Sequence, residues 1–240
     1  MLLLTLNINM FNFVIDNSFD DYLDVISPDI AFIQECRYNR INEQYDAKWA
    51  GHFEEPINSR FRLSAAISKK NEITKSKIDT TDLYYDYTCI FVEYEKNKFA
   101  GVHIPLIDKE REKESEREKL LSKIKESDVQ IICGDFNACS DNENQEYLEE
   151  LLSENDYIDL WQEGINQGKA YYIDFFGRKM KADSKEYLNI RTFVGNRHID
   201  YILAKNKFLN LKEIRIDYRT LAFTDHCGIV LDFDINQKYK

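Results

Sequence analysis

Along the chain, apolar residues gather in short runs that end in polar ones. Leu2 to Ile8 reads as a buried strand. Ser18 and Asp21 mark a helix start that runs through Tyr22, Val25 and Ile26 to a stop at Pro28, and a second strand follows from Ile30 to Gln34. Leu63 to Ser68, Thr88 to Tyr94 and Phe99 to Ile104 are three further β-rich runs, expected to pair antiparallel. From Asp108 to Glu126 opposite charges recur three apart (Glu110 with Lys113, Glu114 with Arg117, Glu116 with Lys119), with Leu120, Leu121 and Ile124 on one side. This pattern predicts a helix with a solvated outer half. Val129 to Cys133 is a short apolar strand ending at Gly134, followed by a helical pattern from Glu143 to Leu152. After a less regular stretch from Tyr157 to Asn189, strands are expected at Thr192 to Val194, Ile199 to Ala204, Leu211 to Tyr218 and Cys227 to Phe233. Strands in both halves with helices between them predict an α/β sandwich. With three Pro, eight Gly, no linker-like stretch and no repeat, residues 1–240 are expected to form one domain.

Composition supports a large core, because 43% of residues are hydrophobic and 13% aromatic. A net charge of −11 argues against a tight, sequence-blind nucleic-acid binder, which needs clustered Lys and Arg. It leaves a nuclease open, since a metal site must itself hold carboxylates. The five cysteines, Cys36, Cys89, Cys133, Cys139 and Cys227, match neither a zinc site nor a disulfide framework and read as reduced, mostly buried thiols. The apolar start MLLLTLNINMF lacks a basic region and a cleavage site and is too short to span a bilayer, so a cytoplasmic location without a membrane segment is expected.

Chemistry enters as short polar insertions at the ends of apolar runs: Asn7 and Asn9, Gln34-Glu35, His103, Asp135-Phe136-Asn137, Asp200, and Asp225-His226. Taken singly, each has an ordinary explanation. Asn7 and Asn9 read as cap or turn residues, Glu35 as the start of a loop, His103 as a core histidine, and Asp135 and Asp225 as turn residues. Six such insertions, all of metal-ligand, amide or imidazole type, are hard to explain as folding, because strand ends in general need no acids.

In order, the pieces TLNIN, AFIQECR, GVHIPL, ICGDFNA, the Thr192-Phe193 pair, RHIDYIL and TDHCGIVLDF resemble the endonuclease/exonuclease/phosphatase superfamily, from Leu3 to Phe233. That superfamily includes DNase I, exonuclease III-like repair nucleases, deadenylases, neutral sphingomyelinases and inositol polyphosphate 5-phosphatases. The resemblance implies a four-layer α/β/β/α sandwich with two packed, mostly antiparallel sheets. It implies a phosphoesterase using Mg²⁺, with Mn²⁺ able to substitute, and Glu35 as principal metal ligand with Asn7 close by and Asp225 as a second acid. Asp135 and Asn137, two apart on an extended segment, would align or deprotonate water and fix the phosphate. His226 would contact the phosphate or share in activating water, with Asp200 holding its tautomer. His103 belongs on the leaving-group side, and which histidine is the acid stays open. Asn9 and Arg37 fall on the substrate side, the latter through the QECR string, which looks like the matching stretch of DNase I-type enzymes. His52 and His198 lie in no motif and read as structural.

Within the superfamily, His103 points to the DNase I and sphingomyelinase branches, where repair enzymes carry a Tyr-bearing motif. The Ala-Cys after Asn137 departs from the Tyr-Arg of inositol 5-phosphatases. The glutamate that DNase I-type enzymes pair with the first histidine is missing between Pro56 and Lys70. The leading reading is a Mg²⁺-dependent nuclease, DNA favoured over RNA, acting as a monomer. A phosphatase or phosphodiesterase of a small phosphorylated metabolite or nucleotide is the first alternative, and a non-catalytic binding domain is the second. Asn39 to Asn58 and Gln162 to Asn189 are the candidate specificity loops, with aromatic and basic residues that either stack on bases or pack on the sandwich.

Overall fold

Strand β1 (Leu2–Asn7) runs parallel to β2 (Ile30–Cys36), and α1 (Ser18–Ile26) crosses between them. Helix α1 buries Phe19, Tyr22, Leu23 and Ile26, the i, i+3, i+4, i+7 stripe of an amphipathic helix, and carries Asp20 and Asp21 in its first turn, where the helix dipole favours acids. The computed structural model describes residues 1–9, 18–37, 41, 43–51, 63–69, 73–83, 88–104, 110–138, 144–154, 156–183 and 191–239. His52, Cys139 and parts of both candidate specificity loops lie outside the described residues.

The remaining strands are β3 (Asp46–Trp49), β4 (Leu63–Ser68), β5 (Thr74–Lys75), β6 (Cys89–Tyr94), β7 (Asn97–His103), β8 (Ile131–Asp135), β9 (Tyr157–Asp159), β10 (Ala170–Ile173), β11 (Lys179–Lys181), β12 (Asp200–Lys205), β13 (Leu209–Asp217) and β14 (Gly228–Ile235). Helices α2 (Glu110–Glu126), α3 (Asn144–Glu154) and α4 (Leu160–Asn166) complete the set. Among the described residues, one sheet has eight strands in the order β11-β10-β13-β14-β1-β2-β4-β3, and the other has six in the order β5-β6-β7-β8-β12-β9. Neighbours pair antiparallel except at β1–β2, β10–β13 and β7–β8.

Both faces of the central strands are covered, which is why they read as continuous apolar runs. On β2, Ile30 and Phe32 face the core between the sheets, while Ala31 and Ile33 face α1. On β8, Ile131 and Cys133 point to the inter-sheet core, and Ile132 points to Leu120, Leu121 and Ile124 of α2 and Leu148 and Leu151 of α3. Three apolar clusters thus separate four layers, the architecture that the motif set implied. The sheets meet closely at Gly101, where a Cβ would lie 2.4 Å from the Phe32 ring.

The stretch from Tyr157 to Asn189 is more regular than its sequence suggests. It holds β9, α4, β10 and β11, of three, seven, four and three residues, too short for a hydrophobic period to register. Helix α4 is set by Asp159, whose side chain accepts from the Trp161 and Gln162 N–H groups. Thr192 to Val194 forms no strand; Phe193 makes isolated bridges to Arg197 and His226, because the Gly195-Asn196 turn folds the chain straight back.

Gly134, the penultimate residue of β8, has φ 140, and a Cβ there would sit 1.9 Å from the Val102 carbonyl oxygen. Gly134→Ala is expected to cost about 3 kcal/mol or more in urea unfolding, since backbone must move. The exposed-turn control Gly177→Ala, at φ 79 with open space around it, is expected to cost about 1 kcal/mol.

Candidate active site

Strand pairing carries the polar insertions to one edge of the sandwich. Asp135, the last residue of β8, is paired with His103 of β7 on one side and Asp200 of β12 on the other, so the three stand in a row across the six-stranded sheet. In the opposite sheet Asn7 ends β1, Glu35 lies near the end of β2, and Asp225-His226 lead into β14, the antiparallel neighbour of β1.

The Asp135 carboxylate is the meeting point. Its Oδ1 accepts the Asn137 backbone N–H at 2.8 Å, and its Oδ2 accepts Asn7 Nδ2 at 3.0 Å. His103 Nε2 and His226 Nε2 each stand 3.9 Å from the same Oδ2. Asn137 is anchored by donating Nδ2 to the Ile104 carbonyl at 2.9 Å, and Asn144, at the start of α3, donates to the Phe136 carbonyl at 3.1 Å. Asn144 was not singled out from sequence; a buried asparagine opening a helix just after the GDFN turn was the available signal.

Asn7 is fully buried and also donates to Glu35 Oε1 at 3.3 Å, while its Oδ1 accepts the Asn9 N–H at 2.9 Å. It therefore binds two carboxylates through nitrogen and leaves one lone pair of Oδ1 for a cation. Asn9 donates to Asp225 Oδ2 at 2.8 Å. Glu35 Oε1 lies 3.6 Å from His103 Nε2. Three of these residues hold left-handed backbone, with φ 34 at Asn9, 52 at Glu35 and 47 at Asn137. At Glu35 the β2–β4 register slips, so the side chain is re-aimed by a bulge. Such conformations cost on the order of 1 kcal/mol and cluster at functional sites.

Across the sheets, His226 Nδ1 meets Asp200 Oδ2 at 3.0 Å and Oδ1 at 3.2 Å. Threonines fix the backbone on both sides of this pair. Thr192 Oγ1 accepts the Ile199 and Asp200 N–H groups, both at 3.0 Å; Thr220 Oγ1 donates to the His226 carbonyl at 2.8 Å; Thr224 Oγ1 donates to the Asn7 carbonyl at 2.9 Å. The Phe193 ring lies 4.9 Å from the His226 ring. Thr192 and Phe193 stood in a motif, but nothing in their sequence gave these contacts.

Burial, then the charge of Asp200, push the Asp135 carboxyl up to about 7, against the pull of His226, the Asn137 N–H and Asn7. Burial opposes charge on His226, but Asp200 first, then Asp135 and Asp225, outweigh it and raise the imidazole to about 9. Arg37 follows β2 directly, with Nε buried and no hydrogen bond to it among the described residues. His198 is packed against Tyr201, and burial lowers it to about 4, so it stays neutral.

Glu35, Asp135, Asp200 and Asp225 bring four carboxyl groups, exposed by only 9%, 3%, 3% and 22%, against two imidazoles. Asp225 Oδ1 is buried and accepts no hydrogen bond among the described residues. So oxygen-rich and electron-dense a set fits a hard divalent cation. Among the described residues, Asp135, Asp200 and His226 place ligand atoms within 4.8 Å of one another, and the His226–Asp200 contact is part of that grouping. Glu35 and Asp225 are further acids at this edge that could hold a cation.

The architecture matches solved structures along almost its whole length. A 3′ phosphatase, NExo, from Neisseria, solved with product DNA hairpin, is 17% identical at a TM-score of 0.65, covering 98% of this chain and 99% of that one. An AP endonuclease from Archaeoglobus fulgidus is 16% identical at 0.65, over 98% and 100% of the two chains. The human Nocturnin catalytic domain, with bound sulfate, is 14% identical at 0.64, over 98% and 94%. No curated protein matches the chain by sequence. Residues 4–226, which span every polar insertion described above, match the Endonuclease/Exonuclease/phosphatase family, and the chain belongs to that family.

Proposed function

We propose that the chain is a Mg²⁺-dependent phosphodiesterase acting on nucleic acid, DNA before RNA. The observation that carries this reading is the convergence of Glu35, Asp135, Asp200 and Asp225 with His103 and His226 at one buried edge, tied together by Asn7. The Neisseria relative's product DNA hairpin supports DNA as the polymer.

Bound at Glu35 and Asp225, a divalent ion would polarise a phosphoryl oxygen and offset its developing charge. Asp135 takes the proton of the attacking water: Asn137 and Asn7 fix the carboxylate's direction, and a value near 7 suits a base at neutral pH. His226, kept cationic by Asp200, presents Nε2 to a phosphoryl oxygen; its 3.9 Å separations from Asp135 and Asp225 are too long for direct hydrogen bonds. His103, on the Glu35 side and 13% exposed, protonates the departing oxygen as the bond to phosphorus breaks. Asn137 acts by positioning Asp135, and Asn9, bonded to Asp225, and Arg37, directly after β2, would contact the strand.

Hydrolysis of bis(p-nitrophenyl) phosphate, plasmid DNA and single-stranded RNA, in Mg²⁺ or EDTA, tests this reading. Asp135→Asn is expected to lower kcat by about 10²–10⁴-fold, and EDTA to abolish turnover. Cleavage that survives both would overturn it.

The His226–Asp200 pair gives a pH signature in metal-free protein. The folded imidazole, at about 9, lies above its ordinary 6.5, so the pair's stabilisation is complete below pH 6.5 and is lost as pH rises through 9. Asp200→Asn is therefore expected to destabilise strongly near pH 6.5 and little above pH 9 in denaturant titrations. A destabilisation that is the same at both ends would contradict a charged His226.

A further inference from the structure

The turn between β10 and β11 exposes two phenylalanines side by side, Phe175 by 63% and Phe176 by 85%, the latter the most exposed large apolar side chain among the described residues. The turn is rigidly built. Asp174 Oδ1 accepts the Phe176 and Arg178 N–H groups, both at 2.9 Å, and Gly177 adopts φ 79. Phe175 stacks on Tyr218 at 6.3 Å and 25°, Tyr218 on Tyr172 at 5.7 Å and 12°, and Tyr172 packs at 5.3 Å on buried Trp161. A file of aromatic rings thus runs from the core to the rim. The Arg178 guanidinium stands 5.5 Å from the Phe176 ring centre and pairs through Nε with Asp174 Oδ2 at 2.6 Å, while the arginine side chain stays 74% exposed.

Register places this turn at the catalytic edge. Ile173 pairs with Asp217 and Asp217 with Gly228, two residues after His226. Two strand spacings, about 10 Å, separate β10 from β14.

We propose that the Phe175-Phe176 turn is a stacking platform for a base of a single-stranded nucleic-acid segment, on the same edge of the sandwich as the scissile phosphate. Flat π faces exposed at a rigid turn suit a base, and stacking accepts any base. The proposal rests on the phosphodiesterase reading and narrows it to substrates with an unpaired strand beyond the cleaved bond, in preference to small phosphorylated metabolites.

The test compares wild type, Phe175→Ala combined with Phe176→Ala, and Phe176→Trp. The kcat/KM for a single-stranded oligothymidylate, divided by that for bis(p-nitrophenyl) phosphate, is expected to fall about tenfold or more in the alanine variant and to hold in the tryptophan variant. Anisotropy of a fluorescein-labelled oligothymidylate with Ca²⁺ present is expected to show a matching rise in Kd. An unchanged ratio and an unchanged Kd overturn the platform while leaving the phosphodiesterase reading standing. A wild type that cleaves no phosphoester sinks that reading, and anisotropy then judges the platform alone. Loss of self-association or vesicle binding in the alanine variant, with oligonucleotide binding intact, overturns the proposal in favour of a second copy or a lipid surface.

Discussion

Two charged hydrogen bonds stitch the sheets of this sandwich together at one edge. Asn7 reaches from the eight-stranded sheet to Asp135 of the six-stranded one, and His226 reaches from the same side to Asp200. Most of the remaining contact between the sheets is interchangeable apolar packing, with a neutral tie from Ser64 Oγ to the Thr88 carbonyl at 2.7 Å. The two charged bonds are directional and fully desolvated, so they fix where one sheet stands relative to the other. The site is the place where that register is set.

The same edge is where the chain departs from ordinary backbone. Asn9, Glu35 and Asn137 all hold positive φ, and each is tied by a hydrogen bond or a bulge that leaves it no alternative. Four carboxyl groups are crowded there with little water, and Asp135 is driven toward its neutral form as a result. A folded protein keeps such an arrangement only where the surrounding structure over-determines it. The Thr192, Thr220 and Thr224 hydroxyls supply that support, each bonding the backbone beside a site residue.

Much of this was legible in the sequence. Buried central strands announced themselves as unbroken apolar runs because both their faces are covered, and the acids, amides and imidazoles stood out because strand ends in general need none. The His226–Asp200 contact followed the residue types. The geometry of Asn7 did not: an amide presents oxygen or nitrogen according to its neighbours, and here the nitrogen faces the carboxylates. The short elements between Tyr157 and Lys181 were hidden because three or four residues carry no period, and they are fixed by sheet pairing and by the Asp159 cap. By sequence the exposed phenylalanines fall within a candidate loop; the strand register shows that they stand at the edge that gathers the acids and imidazoles.

The central claim is that the buried acids form a divalent-cation site rather than a merely structural cluster. Thermal unfolding of wild type and Glu35→Gln, each in EDTA and in saturating Mn²⁺, tests it most directly, because a ligand that binds only the folded state raises Tm. The account predicts a clear rise for wild type with Mn²⁺, a much smaller one for the variant, and a variant at least as stable as wild type in EDTA, where one buried charge has been removed. Equal Tm for wild type with and without Mn²⁺ would contradict it.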